Sequence, residues 1–307
     1  MERAIPKLIK GIAPALVTPF TKDGADLNRE AIPALVDSVL SKGVSGLFVC
    51  GATGEPWAMT LDERKRMLET TVSEVSGHVP IIAHVGYAQN TADSVELAKH
   101  AKKVGANAVG SVPPFTESPP DIEATISHYT TIAEATDLPF YVYWRTATAT
   151  QITPEEFLER MQKVPGFAGI KFTDYNFFFF QKLIQISDGK LNCLTGPDEM
   201  FLAGLVMGSD GAIGTTYNFM AEHYVQMYEN FLKGNIEKAM KGQSDANELI
   251  SLLIQLGVIS GTKAILNARG INVGQARSSV SFDPLVKKLS AEQVTELTNL
   301  ANTLNLK

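Results

Sequence analysis

Short apolar segments alternate with longer amphipathic segments over most of the chain. The apolar segments end at glycine, proline or polar turns, and such segments are typical of strands covered on both faces. The amphipathic segments carry apolar residues at the spacing of one helix face. The pattern therefore predicts eight buried strands that alternate with helices, with the strands at 11–20, 46–50, 80–84, 108–112, 139–143, 167–172, 191–195 and 211–214.

Two of the predicted helices begin with a recognisable capping sequence. Thr60 precedes an amphipathic segment and is followed three residues later by Glu63. Thr153 and Glu156 repeat this spacing, with Pro154 at the first helical position. Because the two side chains of such a pair satisfy free backbone N–H groups, both sites predict a helix start. The second of these helices is predicted at 154–164, and other helices are predicted at 30–40, 92–104 and 122–135.

The order of the elements predicts the fold. Eight strands, each followed by a helical segment, indicate an α/β protein with a (β/α)8 TIM barrel. A doubly wound sheet would have fewer strands and a G-x-G-x-x-G loop after the first, which the segment 11–20 lacks. Beyond residue 234 only helices are predicted, at 236–257, 261–268 and 291–303, and no linker-like composition separates them from the barrel. We therefore predict one structural unit, with the barrel at 1–233 and a helical extension at 234–307 packed on it.

Composition and charge narrow the classes of function. The formal net charge of -6 argues against nucleic-acid or acidic-membrane binding, because both need basic surfaces. Cys50 and Cys193 give neither a disulfide framework nor a metal-ligand spacing, and the five histidines include no paired ligand motif, so each is interpreted as a packing or surface residue. With no signal-peptide segment and no run of 18 apolar residues, we expect a cytoplasmic protein that binds a small molecule and no metal.

Lys171 interrupts the apolar segment that runs from residue 167 to 172. An ammonium group in a buried strand is costly to desolvate, so its pKa should fall and a neutral amine becomes accessible. A neutral lysine is a nucleophile for carbonyl groups. The alternative is a lysine at a strand end that reaches solvent or pairs with Asp174.

Other unusual residues follow neighbouring predicted strands. Because the active site of a barrel lies at the C-terminal ends of its strands, these residues are expected to converge with Lys171. Each also has a structural interpretation, as a tight turn, a packing residue or a helix cap. They are the glycine-bounded turn at 51–55, Tyr143, the acidic segment at 196–199 and the hydroxyl-rich segment at 214–218.

The same residues resemble the N-acetylneuraminate lyase and dihydrodipicolinate synthase family of Schiff-base aldolases. The resemblance covers nearly the whole chain and is closest to the N-acetylneuraminate lyase branch in the segments 196–199 and 211–218. It implies a homotetramer that cleaves a 2-keto sugar acid, with N-acetylneuraminate as the first candidate, into pyruvate and an aldehyde sugar without an organic cofactor. The motifs that carry it are Val17-Thr18-Pro19-Phe20, the G-x-T-G-E turn at 51–55, Tyr143, Gly169-Ile170-Lys171 and the appended helices.

The resemblance also implies roles for individual residues. Lys171 would form the imine with pyruvate, and Tyr143 would move the proton. Ala52 and Thr53 lie in the turn that would hold the pyruvate carboxylate. The sugar end of the substrate would be lined by Thr173, Gly196, Asp198, Glu199 and Thr215. Two other interpretations stay open: a dehydratase or aldolase for another 2-keto-3-deoxy sugar acid, and a non-catalytic barrel that binds a small molecule.

Three positions depart from the family pattern. Tyr143 is followed by Trp144-Arg145-Thr146 instead of the usual Asn, aliphatic residue and Pro. Ala52 lacks the hydroxyl that usually bonds the tyrosine, so a proton relay would need water or another group. Thr148 stands where synthases carry an arginine, which argues against that activity. The four phenylalanines at 177–180 cannot share one helix face, and either pack against the outer helices or form a subunit interface.

Overall fold

The computed structural model describes residues 7–114, 121–146, 152–277 and 286–306. Eight parallel strands form one sheet. In this sheet β1 pairs with β8, and the order continues through β7, β6, β5, β4 and β3 to β2. Between β1 and β2, Leu16 N–H donates to Phe48 O at 2.9 Å, so the sheet is nearly closed and the predicted barrel is confirmed. The strands are β1 Gly11–Pro14, β2 Leu47–Val49, β3 Ile81–His84, β4 Ala108–Ser111, β5 Phe140–Arg145, β6 Phe167–Thr173, β7 Asn192–Thr195 and β8 Gly211–Gly214.

The first strand is shorter than the segment predicted at 11–20. It ends at Pro14, and the following residues form the loop over the barrel. Ala15 and Leu16 still donate to Gly214 O and Phe48 O, but Pro19 has no N–H to continue a sheet ladder. Phe20 instead bridges Leu27 in the antiparallel sense. The apolar character of this segment therefore reflects a buried loop and not a long strand.

Eleven helices surround and extend the barrel within the described residues. The predicted capping box at Thr60 is complete, because Glu63 N–H donates to the threonine hydroxyl at 3.1 Å and Thr60 N–H donates to the glutamate at 2.8 Å. In the second capping box Glu156 N–H donates to the Thr153 hydroxyl at 3.2 Å, but the reciprocal bond is not made, because the Glu156 carboxylate accepts from Arg160 instead. The helices are α1 Ile32–Leu40, α2 Leu61–Val75, α3 Thr91–Val104, α4 Ile122–Glu134, α5 Pro154–Met161, α6 Phe177–Ile186, α7 Phe201–Val206, α8 Tyr217–Leu232, α9 Ile236–Leu256, α10 Val258–Ala268 and α11 Ala291–Thr303.

Helices α9 and α10 pack on α8, and α11 packs on α9 and α10. The buried side chains of all three belong to the core that lies between the sheet and the outer helices. Leu253 and Leu297 are examples from α9 and α11. Among the described residues no single helix is long and apolar enough to cross a membrane, although α9 and α10, bent by 114° to each other, reach that length and composition together.

The four phenylalanines of α6 face different environments. Phe179 and Phe180 are buried and stack on Phe172 of the neighbouring strand β6. Phe178 is 77% exposed. The packing interpretation therefore holds for Phe179 and Phe180, and a subunit interface at Phe178 stays a prediction.

Candidate active site

Lys171 lies in β6 inside the barrel and is only 4% exposed. It pairs in the sheet with Tyr143 of β5, and its Nζ is 4.1 Å from the centroid of that ring and 4.6 Å from the centroid of Phe48. Asp174 does not pair with the amine, because its carboxylate accepts from Trp144 and from a backbone N–H. Lys171 is therefore an enclosed amine between two aromatic rings.

Burial lowers the pKa of Lys171 below its ordinary value, and the positive charge of Arg145 adds to this effect. The negative charges of Tyr143 and Asp198 oppose this lowering of the pKa. A lowered pKa increases the fraction of neutral amine at neutral pH, and this is the form that attacks carbonyl groups.

Tyr143 is buried beside the amine. Burial alone would raise the pKa of Tyr143, but the charges of Lys171 and Arg145, together with the nearby Thr173 hydroxyl, outweigh it and lower the pKa. The Thr173 hydroxyl is itself buried and makes no hydrogen bond with the described residues. A phenol with a lowered pKa can accept and return a proton close to the amine.

The turn after β2 contains a short 3-10 helix, Ala52–Gly54. The Thr53 and Thr215 hydroxyls are 2.6 Å apart, which joins this turn to the loop after β8. Thr18 supports the turn from the first loop by donating to Gly54 O at 2.7 Å. Ala52 packs in the same apolar cluster inside the barrel as Tyr143 and carries no hydroxyl for it.

The loop after β7 places two carboxylates on the same side of the barrel. Asp198 accepts from the backbone N–H and the hydroxyl of Thr216, both at 2.7 Å, and burial raises the pKa of Asp198 to about 6. Glu199 accepts from the hydroxyl of Tyr175. At Gly196 a Cβ would clash with the Thr173 hydroxyl, so glycine lets the two loops approach each other.

The appended helices hold the backbone of this acidic loop. Gln243 of α9 donates to Asp198 O at 3.1 Å, and Asn247 of the same helix donates to Glu199 O at 3.1 Å. The helical extension thus positions the loop directly as well as adding to the core.

The structure adds two residues to those singled out from the sequence: Arg145, whose orientation the sequence left open, and His84, which was interpreted as a packing or surface residue. Arg145 lies at the mouth and donates to the Tyr87 hydroxyl at 2.5 Å, whereas Trp144 packs outward against Phe179. His84 lies inside the barrel next to Tyr143. Thr148 falls outside the described residues. Among those that are described, no group of three or more His, Cys, Asp or Glu side chains is arranged to hold a metal.

The candidate residues therefore lie on or directly after the C-terminal parts of β2, β5, β6, β7 and β8, and β6 carries the enclosed amine. The arrangement can form an imine with a carbonyl substrate and can move a proton next to it. The hydroxyls and carboxylates of the loops after β7 and β8 can bind a polar, hydroxyl-rich molecule.

Comparison with known proteins agrees with this chemistry. The model of the dihydrodipicolinate synthetase family matches residues 8–300. The N-acetylneuraminate lyase of Rhizobium meliloti is 38% identical over 271 residues, 88% of each chain. The solved N-acetylneuraminate lyase of Aliivibrio salmonicida gives a TM-score of 0.90 at 29% identity, covering 98% of this chain and 99% of that one. A catalytic lysine mutant of the Ruminococcus gnavus sialic acid aldolase gives 0.90 at 29% identity, covering 99% of both chains.

Proposed function

The chain belongs to the dihydrodipicolinate synthetase family, and we propose that it is a Schiff-base aldolase that cleaves N-acetylneuraminate to pyruvate and N-acetylmannosamine. The observation that carries this proposal is the enclosed amine of Lys171, held against Tyr143 and Phe48 in a chain similar to N-acetylneuraminate lyases. It is tested by incubating the protein with N-acetylneuraminate and identifying both products.

The chemistry begins at the substrate's keto carbon. The neutral amine of Lys171 attacks C2 of the open-chain sugar acid, and loss of water gives a protonated imine. The bond between C3 and C4 then breaks, and its electron pair moves into the imine to give an enamine. The Tyr143 phenolate takes the proton of the C4 hydroxyl as the aldehyde forms, and returns it to C3 of the enamine. Hydrolysis of the imine releases pyruvate and restores the amine.

The surrounding loops bind the two halves of the substrate. The turn after β2 holds the pyruvate carboxylate through the Thr53 hydroxyl and adjoining backbone N–H groups. The sugar is bound by residues at the end of β6 and in the loops after β7 and β8, namely Thr173, Gly196, Asp198, Glu199 and Thr215. The reaction draws on the lysine imine alone, so we expect no added cofactor, and we further propose a cytoplasmic homotetramer.

One observation favours a second candidate. Arg145 lies at the mouth with Tyr87, and its charge acts on both Lys171 and Tyr143. A guanidinium group suits the carboxylate of a more acidic substrate. A dehydratase or aldolase for another 2-keto-3-deoxy sugar acid would use the same lysine, and identifying the products from a panel of such acids separates the two activities. Pyruvate imine trapping separates both from a non-catalytic binding barrel.

Glu199→Gln is expected to weaken use of N-acetylneuraminate while leaving imine chemistry intact. The loss of a charged hydrogen bond to the sugar should lower kcat/KM by about 1–3 kcal/mol of transition-state binding. Steady-state kinetics and borohydride trapping of pyruvate check this. If trapping is lost while sugar selectivity is unchanged, the residue serves the chemistry and not the sugar.

Tyr143→Phe is expected to lose activity on the order of 10²-fold, because general acid–base steps contribute at least that much. Ala52→Thr offers the phenol a hydroxyl in the same apolar cluster and should keep or raise turnover. Both variants are assayed for N-acetylneuraminate cleavage. Turnover of Tyr143→Phe at the parent rate would make the tyrosine a packing residue.

A further inference from the structure

His84 ends β3 and is only 2% exposed. Its ring lies among three aromatic side chains, with centroids 5.6 Å from Phe48, 5.2 Å from Tyr87 and 5.6 Å from Tyr143. Phe48 and Tyr143 are the two rings that enclose the amine of Lys171. The imidazole therefore borders the candidate active site, although the mechanism above does not use it.

The rings of His84 and Tyr143 are in contact across one intervening strand. Gly110 of β4 lies between their strands and pairs with His84 in the sheet. The two rings meet edge to face, at an angle of 83° between their planes.

The hydrogen bonds of His84 define its tautomer. Nδ1 lies 3.2 Å from Cys50 O, and since a carbonyl oxygen only accepts, Nδ1 carries the hydrogen. Nε2 then presents a lone pair. This atom is buried and makes no hydrogen bond with the described residues. A buried acceptor without a protein partner normally bonds to water.

The surroundings also keep the ring neutral. Burial lowers the pKa of His84 well below its ordinary value, and the positive charges of Arg64, Lys171 and Arg145 lower it further. Arg64 also fixes the end of the strand, since its guanidinium donates to His84 O at 2.8 Å and to Gly86 O at 2.9 Å. Nε2 of His84 is therefore available to accept a hydrogen bond, and its protonation is disfavoured.

We propose that His84 is a positioning residue for Tyr143, acting through one water molecule that donates to Nε2 and bonds the phenol oxygen. This inference rests on the proposed aldolase function. When Tyr143 is ionised the water donates its second hydrogen to the phenolate, and when Tyr143 is protonated the water accepts from it. The bond to Nε2 persists in both states, so the phenol oxygen stays in place as the proton arrives and leaves. Ala52, in the same cluster as Tyr143, has no group that could do this.

The test compares two amide replacements of His84, each of which keeps one of the two hydrogen-bonding groups of the imidazole. His84→Asn retains a donor at the position of Nδ1 for Cys50 O, whereas His84→Gln places an acceptor near the position of Nε2. We expect His84→Asn to lower kcat for N-acetylneuraminate by roughly 10- to 100-fold, because displacing a reacting group by about 1 Å can cost about 10²-fold. KM and borohydride trapping of pyruvate should stay at parent values, and His84→Gln should recover most of kcat.

A second variant adds an independent readout. Adding Ala52→Ser to the His84→Asn variant supplies a hydroxyl in the apolar cluster that contains Tyr143, and should restore part of kcat. Three results would overturn the positioning role. They are a parent-like kcat in His84→Asn, equal losses of kcat in His84→Asn and His84→Gln, and no recovery of kcat when Ala52→Ser is added to His84→Asn. A loss of imine trapping or of thermal stability in His84→Asn would show instead that the ring is structural. Failure of the parent protein to trap pyruvate would overturn the proposed function and this role with it.

Discussion

Lys171→Met is expected to lose all borohydride-dependent attachment of pyruvate and all measurable cleavage of N-acetylneuraminate. The methionine fills similar space between Tyr143 and Phe48 but has no amine to form the imine, and without it no electron sink exists for the C3–C4 bond. In the parent protein, reduction should add one stable pyruvate-derived mass to the peptide that contains Lys171. Mass spectrometry of the digested protein measures this directly.

The matched control for this experiment is Lys190→Met, which changes an exposed lysine just before β7. It should label and turn over like the parent. Of the lysines that the structure describes, only Lys171 and Lys263 are buried, and Lys263 is held by Glu55. Labelling at Lys263, at an exposed lysine or at none would refute the assignment of Lys171.

The hydrophobic pattern predicted the barrel because its strands are buried on both faces and separated by regular helices. It also predicted Lys171, since a single charge within such a strand is conspicuous. The hydrophobic pattern predicted six residues too many for the first strand, because a buried apolar loop has the same composition as a buried strand. Sequence shows which residues are apolar but not which backbone groups are paired.

The orientation of two further residues could have been derived from strand alternation. Arg145 stands two residues after Tyr143, and His84 stands two residues after Ile82, whose side chain is in the barrel interior. Residues two apart on a strand share a face, so both should point inward. The bond between Glu199 and Tyr175 could not be predicted, because it joins two loops whose relative position depends on the folded barrel.

A buried ionic cluster connects the turn after β2 to the appended helices. Glu55 is fully buried with φ of 56°, and its carboxylate is 2.6 Å from the amine of Lys263 of α10, which is 1% exposed. The same carboxylate accepts from Arg277 N–H at 2.6 Å. The Arg277 guanidinium in turn binds both oxygens of Glu63 at 2.6 and 3.0 Å. Since Glu55 lies two residues after Thr53, this cluster fixes the turn expected to hold the pyruvate carboxylate.

Lys263→Met is expected to lower the free energy of unfolding by about 3–5 kcal/mol, because it leaves the Glu55 carboxylate buried without its cation. Lys241→Met removes an exposed lysine that pairs with Asp245 on α9, and should cost less than about 1 kcal/mol. Adding Glu55→Gln to Lys263→Met should recover stability, since no unpaired charge then remains. Urea unfolding of the four proteins measures these differences. If Lys263→Met were no less stable than Lys241→Met, the buried pair would contribute nothing, and the appended helices would hold the turn by packing alone.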